Sequence, residues 1–194
     1  MAGSPPAPAF PRRTPFFRTW EGWRKGNTLP DLRDIAFNDL GPEMAEGCMN
    51  VRVHSRDNIE IIHAGPMLAR LAGFDLTGYN YLDLTMPENR QFRVALTMEQ
   101  LAQPCGFVLY YRLRHAGNAE TVLEWVGAPA CDSGAAIPSL IPSCAIPLSR
   151  PTGTSAAVDP DSYRIAEGMR FIDIGFGIPP LDPSAPQKLL WGEE

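Results

Sequence analysis

The chain has 194 residues, of which 44% are hydrophobic and 20% charged, which is typical of an ordinary globular protein with one core. Its formal net charge of −5 argues against general nucleic-acid binding, which requires a basic surface. No stretch approaches the roughly 20 apolar residues of a membrane span, and no secretory signal is present, so we expect a cytoplasmic protein.

The cysteines indicate the same compartment. Cys48, Cys105, Cys131 and Cys144 form neither a C-x-x-C pair nor a zinc-binding spacing. We interpret them as small buried hydrophobic residues in a reducing environment. The sequence also lacks a P-loop, a G-x-S-x-G element and an H-E-x-x-H motif. It therefore predicts no catalytic residues, no enzyme activity and no metal site.

The beginning of the chain divides into two parts. Residues 1–13 are rich in proline, alanine and serine, and we expect them to be disordered. Residues 14–26 predict a helix whose large aromatic residues fall on one stripe, namely Phe16, Phe17, Trp20 and Trp23. Such a stripe must pack on its own domain or on a second copy of the chain. As an exposed patch it would be a dimer interface, so a homodimer is predicted.

Residues 27–148 predict the main domain. Alternating hydrophobicity indicates a strand pair near 49–53 and 59–62 and later strands at 107–113, 121–128 and 143–148. Helical spacing indicates helices at 66–72 and 87–103. Pro142 and Pro147 should limit the last strand, because proline cannot donate to a ladder. Residues 149–162 predict a linker, and residues 163–194 a C-terminal segment and tail in which 169–180 is apolar.

This order of elements predicts an α+β fold, a five-stranded antiparallel sheet with helices inserted between strands 2 and 3. The stretch from Trp20 to Leu148 resembles the PAS-domain family, common in alphaproteobacteria as short, often stand-alone proteins. The resemblance covers about two-thirds of the chain and rests on residues 29–35 (LPDLRDI), 61–65 (IIHAG), 72–78 (AGFDLTG) and 146–148 (IPL). Residues 171–179 (FIDIGFGIP) also resemble a segment that follows the domain in such proteins.

The resemblance allows known PAS cofactors to be considered. Flavin photosensors of this fold carry a reactive cysteine in the short helix before the long one, and residues 79–84 contain none. Haem sensors commonly take an axial histidine from the long helix, and residues 87–103 contain none. His63 and His115 remain conceivable ligands, although we favour surface or hydrogen-bonded histidines. Cys105 is favoured as an unreactive thiol over a chromophore attachment site.

The resemblance also implies a cavity between the helices and one face of the sheet. The residues expected to line or adjoin it are Phe74, Tyr79, Tyr81, Phe92, Leu96, Leu109, Tyr111 and Trp125. Ordinary core packing is the alternative, because a fold of this size must fill its interior. Buried tyrosine hydroxyl and tryptophan indole groups seek hydrogen-bond partners, which a ligand would supply.

Three hypotheses for function follow. The first is a PAS-type sensory or regulatory module that binds a small ligand or a protein partner and signals through another protein. The second is a ligand-free interaction module that dimerises through the aromatic stripe. The third is an enzyme of an uncharacterised kind, which no motif supports. The resemblance leaves the cofactor, if there is one, unassigned.

Overall fold

The computed structural model describes residues 15–114, 120–148 and 168–181, so the predicted N-terminal disorder and the predicted linker at 149–162 lie outside the described residues. The helices are α1 (Pro15–Trp23), α2 (Pro42–Ala45), α3 (Pro66–Ala72) and α4 (Pro87–Ala102), with 3-10 turns at Leu32–Asp34, Phe37–Leu40 and Tyr81–Leu84. The strands are β1 (Cys48–Val53), β2 (Ile59–Ala64), β3 (Gly106–Arg114), β4 (Glu120–Gly127), β5 (Ala130–Cys131), β6 (Pro138–Pro147) and β7 (Gly168–Ile172).

The strands form one antiparallel sheet in the order β2-β1-β6-β4-β3-β7, with β5 paired to β6. Helices α3 and α4 lie between the second and third strands along the chain, and the structure confirms the predicted α+β class with an antiparallel sheet. The predicted number of five strands is wrong, because the described residues contain seven. The short β5 was missed, and β7 belongs to the segment at 163–194 that we expected to follow the domain.

The start of β6 is a second correction. The strand was predicted at 143–148 and begins five residues earlier, at Pro138. Pro142 lies within it, opposite Asn50 of β1. Its lack of an N–H is tolerated here, and its carbonyl oxygen accepts a hydrogen bond from the Ala128 N–H at 3.2 Å. The proline therefore contributes an acceptor to the sheet without being required to donate.

Side chains alternate between two apolar layers, one on each face of the sheet. On the inner face, the sheet packs against α3, α4 and the turn at Tyr81–Leu84, with core members such as Ile61, Leu96 and Leu123. On the outer face, it packs against α1 and α2, with core members such as Val108 and Val126. The period of two along each strand supplies both layers, as an antiparallel sheet covered on both sides requires.

Helix α4 positions polar side chains toward the inner face. Pro87 at its first position suits a helix start, because the first N–H has no partner inside the helix. Its buried residues recur every three or four positions, and they include Asn89 and Gln100 as well as Phe92 and Leu96. No helix in the described part of the chain is long and apolar enough to cross a membrane.

The aromatic stripe of α1 is buried within its own chain. Phe16, Phe17, Trp20 and Trp23 are between 0% and 8% exposed and pack in the outer-face layer. Their burial against their own sheet does not favour the predicted dimer interface through these four residues, which stays a prediction. The homodimer itself is likewise a prediction.

Candidate functional site

A cavity of about 380 Å³ lies between the inner face of the sheet and the helices. Its apolar walls come from β1, β2, α3 and the chain that follows α3, and they include Met49, Ile61, Leu68, Leu71, Ala72, Phe74, Leu76 and Leu84. Its polar groups come from the turn before α4, from α4 itself and from β3 and β4. A mostly apolar concavity with a few polar groups is the usual form of a small-molecule site.

The central polar feature of this cavity is a cluster of Arg93, Tyr81 and Tyr111. The guanidinium of Arg93 donates from Nη1 to the Tyr81 hydroxyl and from Nη2 to the Tyr111 hydroxyl, each at 2.6 Å. Its Cζ atom also lies 5.7 Å from the centre of each tyrosine ring, within the range of a cation–π contact. The arginine is thus fixed between two elements, the turn at Tyr81–Leu84 and β3.

The charge of Arg93 has no carboxylate partner in the described part of the chain. No Asp or Glu oxygen among those residues forms an ion pair with it, whereas Arg90 at the cavity mouth lies 3.7 Å from Asp83. Burial opposes the charge on Arg93, but its interactions with Tyr111 and Tyr81 keep its pKa above the ordinary value. Burial also raises the pKa of Tyr81 to about 12, so that its hydroxyl stays neutral.

A smaller chamber of about 70 Å³ adjoins the first one, and we refer to it as the inner chamber. Both cavities are lined by Arg93, Tyr81 and Tyr111, so the cluster stands at their junction. Gln100 lines the inner chamber, is 3% exposed, and its Nε2 amide group has no hydrogen-bond partner among the described residues. A buried donor of this kind is costly unless a water or a ligand satisfies it.

The predicted pocket residues divide into three groups. Four of them line the main cavity, namely Phe74, Tyr81, Tyr111 and Trp125. Leu96 and Leu109 line the inner chamber. Phe92 lines neither and is buried in the inner-face core, while Tyr79 is 49% exposed and packs against Phe74 at the surface. These last two residues adjoin the cavity through the core and through Phe74 but do not line it, because bulk and neighbourhood in sequence do not fix where a side chain points.

Sequence reasoning missed Arg93 and Gln100. A charged or polar residue in a helix is normally assigned to the solvent side, since such residues are rarely buried without a partner. Positions 89, 93, 96 and 100 follow the three- and four-residue spacing of one helical face, and three of them are polar. That run on the face shared with Leu96 was the available signal for a polar site within the core.

The cysteines and the histidines that the structure describes do not line this cavity. Cys48, Cys105 and Cys144 are buried, and Cys131 is half-buried. None of the four lines either chamber. His63 stacks on Phe37 with ring centres 4.8 Å apart, and burial lowers its pKa. His115 lies outside the described residues.

Among residues 15–114, 120–148 and 168–181, no group of three or more His, Cys, Asp or Glu side chains is placed to hold a metal ion. The short helix that the resemblance associates with flavin attachment is the turn at Tyr81–Leu84, where Asn80 accepts from the Leu82 N–H. This turn supplies Tyr81 to the cavity instead.

Comparison with known proteins gives distant likenesses only. No family model matches the chain, and no curated protein matches it. A solved LOV protein of Rhodobacter sphaeroides is 18% identical with a TM-score of 0.41, covering 62% of this chain and 68% of that one. A substituted form of RsLOV is 17% identical with a TM-score of 0.39, covering 59% of this chain and 65% of that one. The assignment of the fold rests on the topology of this sheet.

Proposed function

We propose that the protein is a cytoplasmic sensory module of the PAS type, which binds a small organic molecule in the main cavity and signals through another protein. The observation that supports this best is the cavity itself. About 380 Å³ of space, open to solvent on one side, remains between the inner face of the sheet and the helices, where a purely structural core would be packed closely. A sensor requires such a site, because a ligand can shift a conformational equilibrium only by binding its states unequally.

The sheet offers a route by which occupancy would reach the end of the chain. Tyr111 of β3 lines the cavity, and β3 pairs with β7 over its first half, with Leu109 opposite Met169. Met169 itself lines the inner chamber. A ligand that displaces Tyr111 or fills the inner chamber would therefore alter the support of β7. We propose that β7 and the residues after it report the ligand to the partner protein.

Native mass spectrometry tests ligand binding directly. Protein purified from its own cells should carry a reproducible small-molecule mass that is lost on denaturation. Ala72→Trp, which adds an indole to the exposed end of α3 where it lines the main cavity, should reduce or remove that mass. Ala102→Trp is the matched control, because Ala102 is exposed at the end of α4 and lines neither chamber.

An apo mass across growth conditions would contradict the proposal and favour the second hypothesis, a ligand-free interaction module. The burial of the stripe of α1 does not favour those residues as its surface. The proposal contains no catalytic step. If the purified protein chemically converted the small molecule that is released on denaturation, the third hypothesis, an enzyme, would be favoured instead.

A further inference from the structure

The polar groups of the main cavity carry one positive charge in excess. Asp83 is the acidic residue among the lining side chains, and it pairs with Arg90 at the solvent-exposed mouth. Arg93 stands deeper, at the junction with the inner chamber, and no acid among the lining residues of either chamber compensates it. Arg93 is half-buried, and a charge drawn even partly out of water without an ionic partner is unfavourable. A bound anion would supply that partner.

We propose that the ligand is a monocarboxylate with an apolar body, whose carboxylate group binds the guanidinium of Arg93. This inference rests on the proposed function and specifies its ligand class. A single negative charge matches the single excess positive charge. The planar guanidinium suits a carboxylate because it presents several N–H donors in a fixed fork.

The hydrogen bonds of Arg93 to the two tyrosines favour this role over a flexible surface arginine. Tyr81 and Tyr111 hold Nη1 and Nη2 from two different elements, so the orientation of the guanidinium is fixed before a ligand arrives. Both partners are hydroxyl groups rather than carboxylates, and they orient the charge without pairing with it as an ion. A preorganised donor loses little conformational freedom on binding, and this increases affinity.

The walls define the rest of the ligand. Side chains around the main cavity are chiefly aliphatic or aromatic, among them Leu68, Leu71 and Phe74. The Nε2 amide of Gln100 is an additional donor that no acceptor among the described residues satisfies. Gln100 follows Arg93 by seven residues, two turns further along the same face of α4. Its amide could therefore donate to a polar atom of the ligand that reaches into the inner chamber, beyond the carboxylate.

Matched probes separate the charge from the apolar body. Naphthalene-1-acetate and naphthalene-1-acetamide share one ring system and differ in the carboxylate. Isothermal titration calorimetry with the full chain should show the acid binding roughly ten- to a hundredfold more tightly than the amide, the usual effect of a hydrogen bond to a charged group. Arg93→Met should abolish this difference and leave the amide affinity unchanged.

Two further variants keep the result interpretable. Arg70→Met removes a positive charge from α3 at an exposed position that lines neither chamber, so the preference for the acid should persist. Arg93→Lys keeps the positive charge, so it should retain part of the preference for the acid. It provides the test if Arg93→Met is poorly folded. Near-ultraviolet circular dichroism verifies the tertiary structure of each variant.

The outcomes distinguish the ligand class from the proposed function. Equal binding of acid and amide, or a preference for the acid that survives Arg93→Met, would overturn the carboxylate assignment while leaving a ligand-binding cavity. Binding of neither probe would also overturn it, and the native mass spectrum would then decide the proposed function separately. If the molecule found in the native mass spectrum were neutral, the assignment of a carboxylate ligand would likewise be overturned.

Discussion

Trp20 of α1 donates its indole N–H to the main-chain carbonyl of Pro129, at 3.1 Å and across 109 residues of sequence. The bond is buried, and it joins the beginning of the described chain to the connection between β4 and β5. Helix α1 is therefore an integral part of the outer-face layer rather than an appendage.

Replacing Trp20 with phenylalanine tests that attachment. Trp20→Phe retains an aromatic ring but leaves the Pro129 carbonyl without its donor, so we expect the free energy of unfolding to fall by about 1–3 kcal/mol. Urea denaturation measures this value. Arg18→Ala, at an exposed position of the same helix, should change it by less than about 0.5 kcal/mol. Equal effects of the two substitutions would contradict the role of the bond.

Deleting residues 1–26 tests the role of the whole helix. The structure predicts aggregation, because the deletion uncovers Val108 and Val126, which are fully buried beneath it. Size-exclusion chromatography with light scattering distinguishes this outcome from a soluble monomer. A soluble, folded monomer would mean that the stripe of α1 serves another surface, as the dimerisation hypothesis supposes.

Replacement of glycine by alanine should have opposite effects on stability at two positions of the chain. A Cβ at Gly47 would lie 2.1 Å from the Ala145 carbonyl oxygen, so Gly47→Ala must displace the backbone of β6 and should cost about 1–3 kcal/mol of stability. A Cβ at Gly22 in α1 meets nothing within 4 Å, so Gly22→Ala should stabilise by about 0.5–1 kcal/mol. Thermal unfolding of the two variants should therefore shift in opposite directions.

Thiol reactivity should follow burial. Burial, together with the charges of Asp173 and Glu99, raises the pKa of Cys105 to about 12, and the hydrogen bond to Cys144 and burial raise that of Cys48. The reactive thiolate is therefore scarce at neutral pH. Alkylation with iodoacetamide at pH 8, read by peptide mass spectrometry, should label the half-buried Cys131 first. Rapid labelling of Cys105 would instead revive a redox or attachment role.

Asp31 should make stability depend on pH in the acid range. Its carboxylate accepts hydrogen bonds from the Arg33 side chain and from the Gly134 N–H, and these lower its pKa below the ordinary value of 3.8. The unfolded state then binds more protons than the folded state as the pH falls below about 4, so this stabilisation is present above that pH and is lost below it. Asp31→Asn should reduce the acid dependence of urea unfolding, and an unchanged dependence would contradict this account.

The sequence predicted the elements whose signals are local. Residues 66–72 and the long helix from Pro87 show clear helical spacing, and β3 and β4 show clear alternation, so their bounds agree within two residues. Strand β7 was missed because it pairs with β3, which lies far from it in the sequence. Local periodicity carries no information on which distant segments pair. Strand β6 was predicted too short because Pro142 and Pro147 were interpreted as the ends of the strand.

The candidate site was predictable only in part. Tyr81, Tyr111 and Trp125 could be proposed because the resemblance implied a cavity beside these elements and buried hydroxyl and indole groups seek partners. Arg93 could not be assigned in this way, since its burial depends on two hydroxyl groups brought from distant positions in the chain. Tertiary context, rather than the preference of arginine for solvent, determines its place.

The most direct test of ligand binding in the cavity is ¹⁹F NMR of the protein labelled with 5-fluorotryptophan. Trp125 lines the main cavity, whereas Trp20 and Trp23 lie in the outer-face layer. Single Trp→Phe variants assign the signals. Titration with naphthalene-1-acetate should shift the Trp125 resonance and leave those of Trp20 and Trp23 in place. A Trp125 resonance unchanged at saturating probe, with shifts at Trp20 or Trp23, would contradict binding on the inner face.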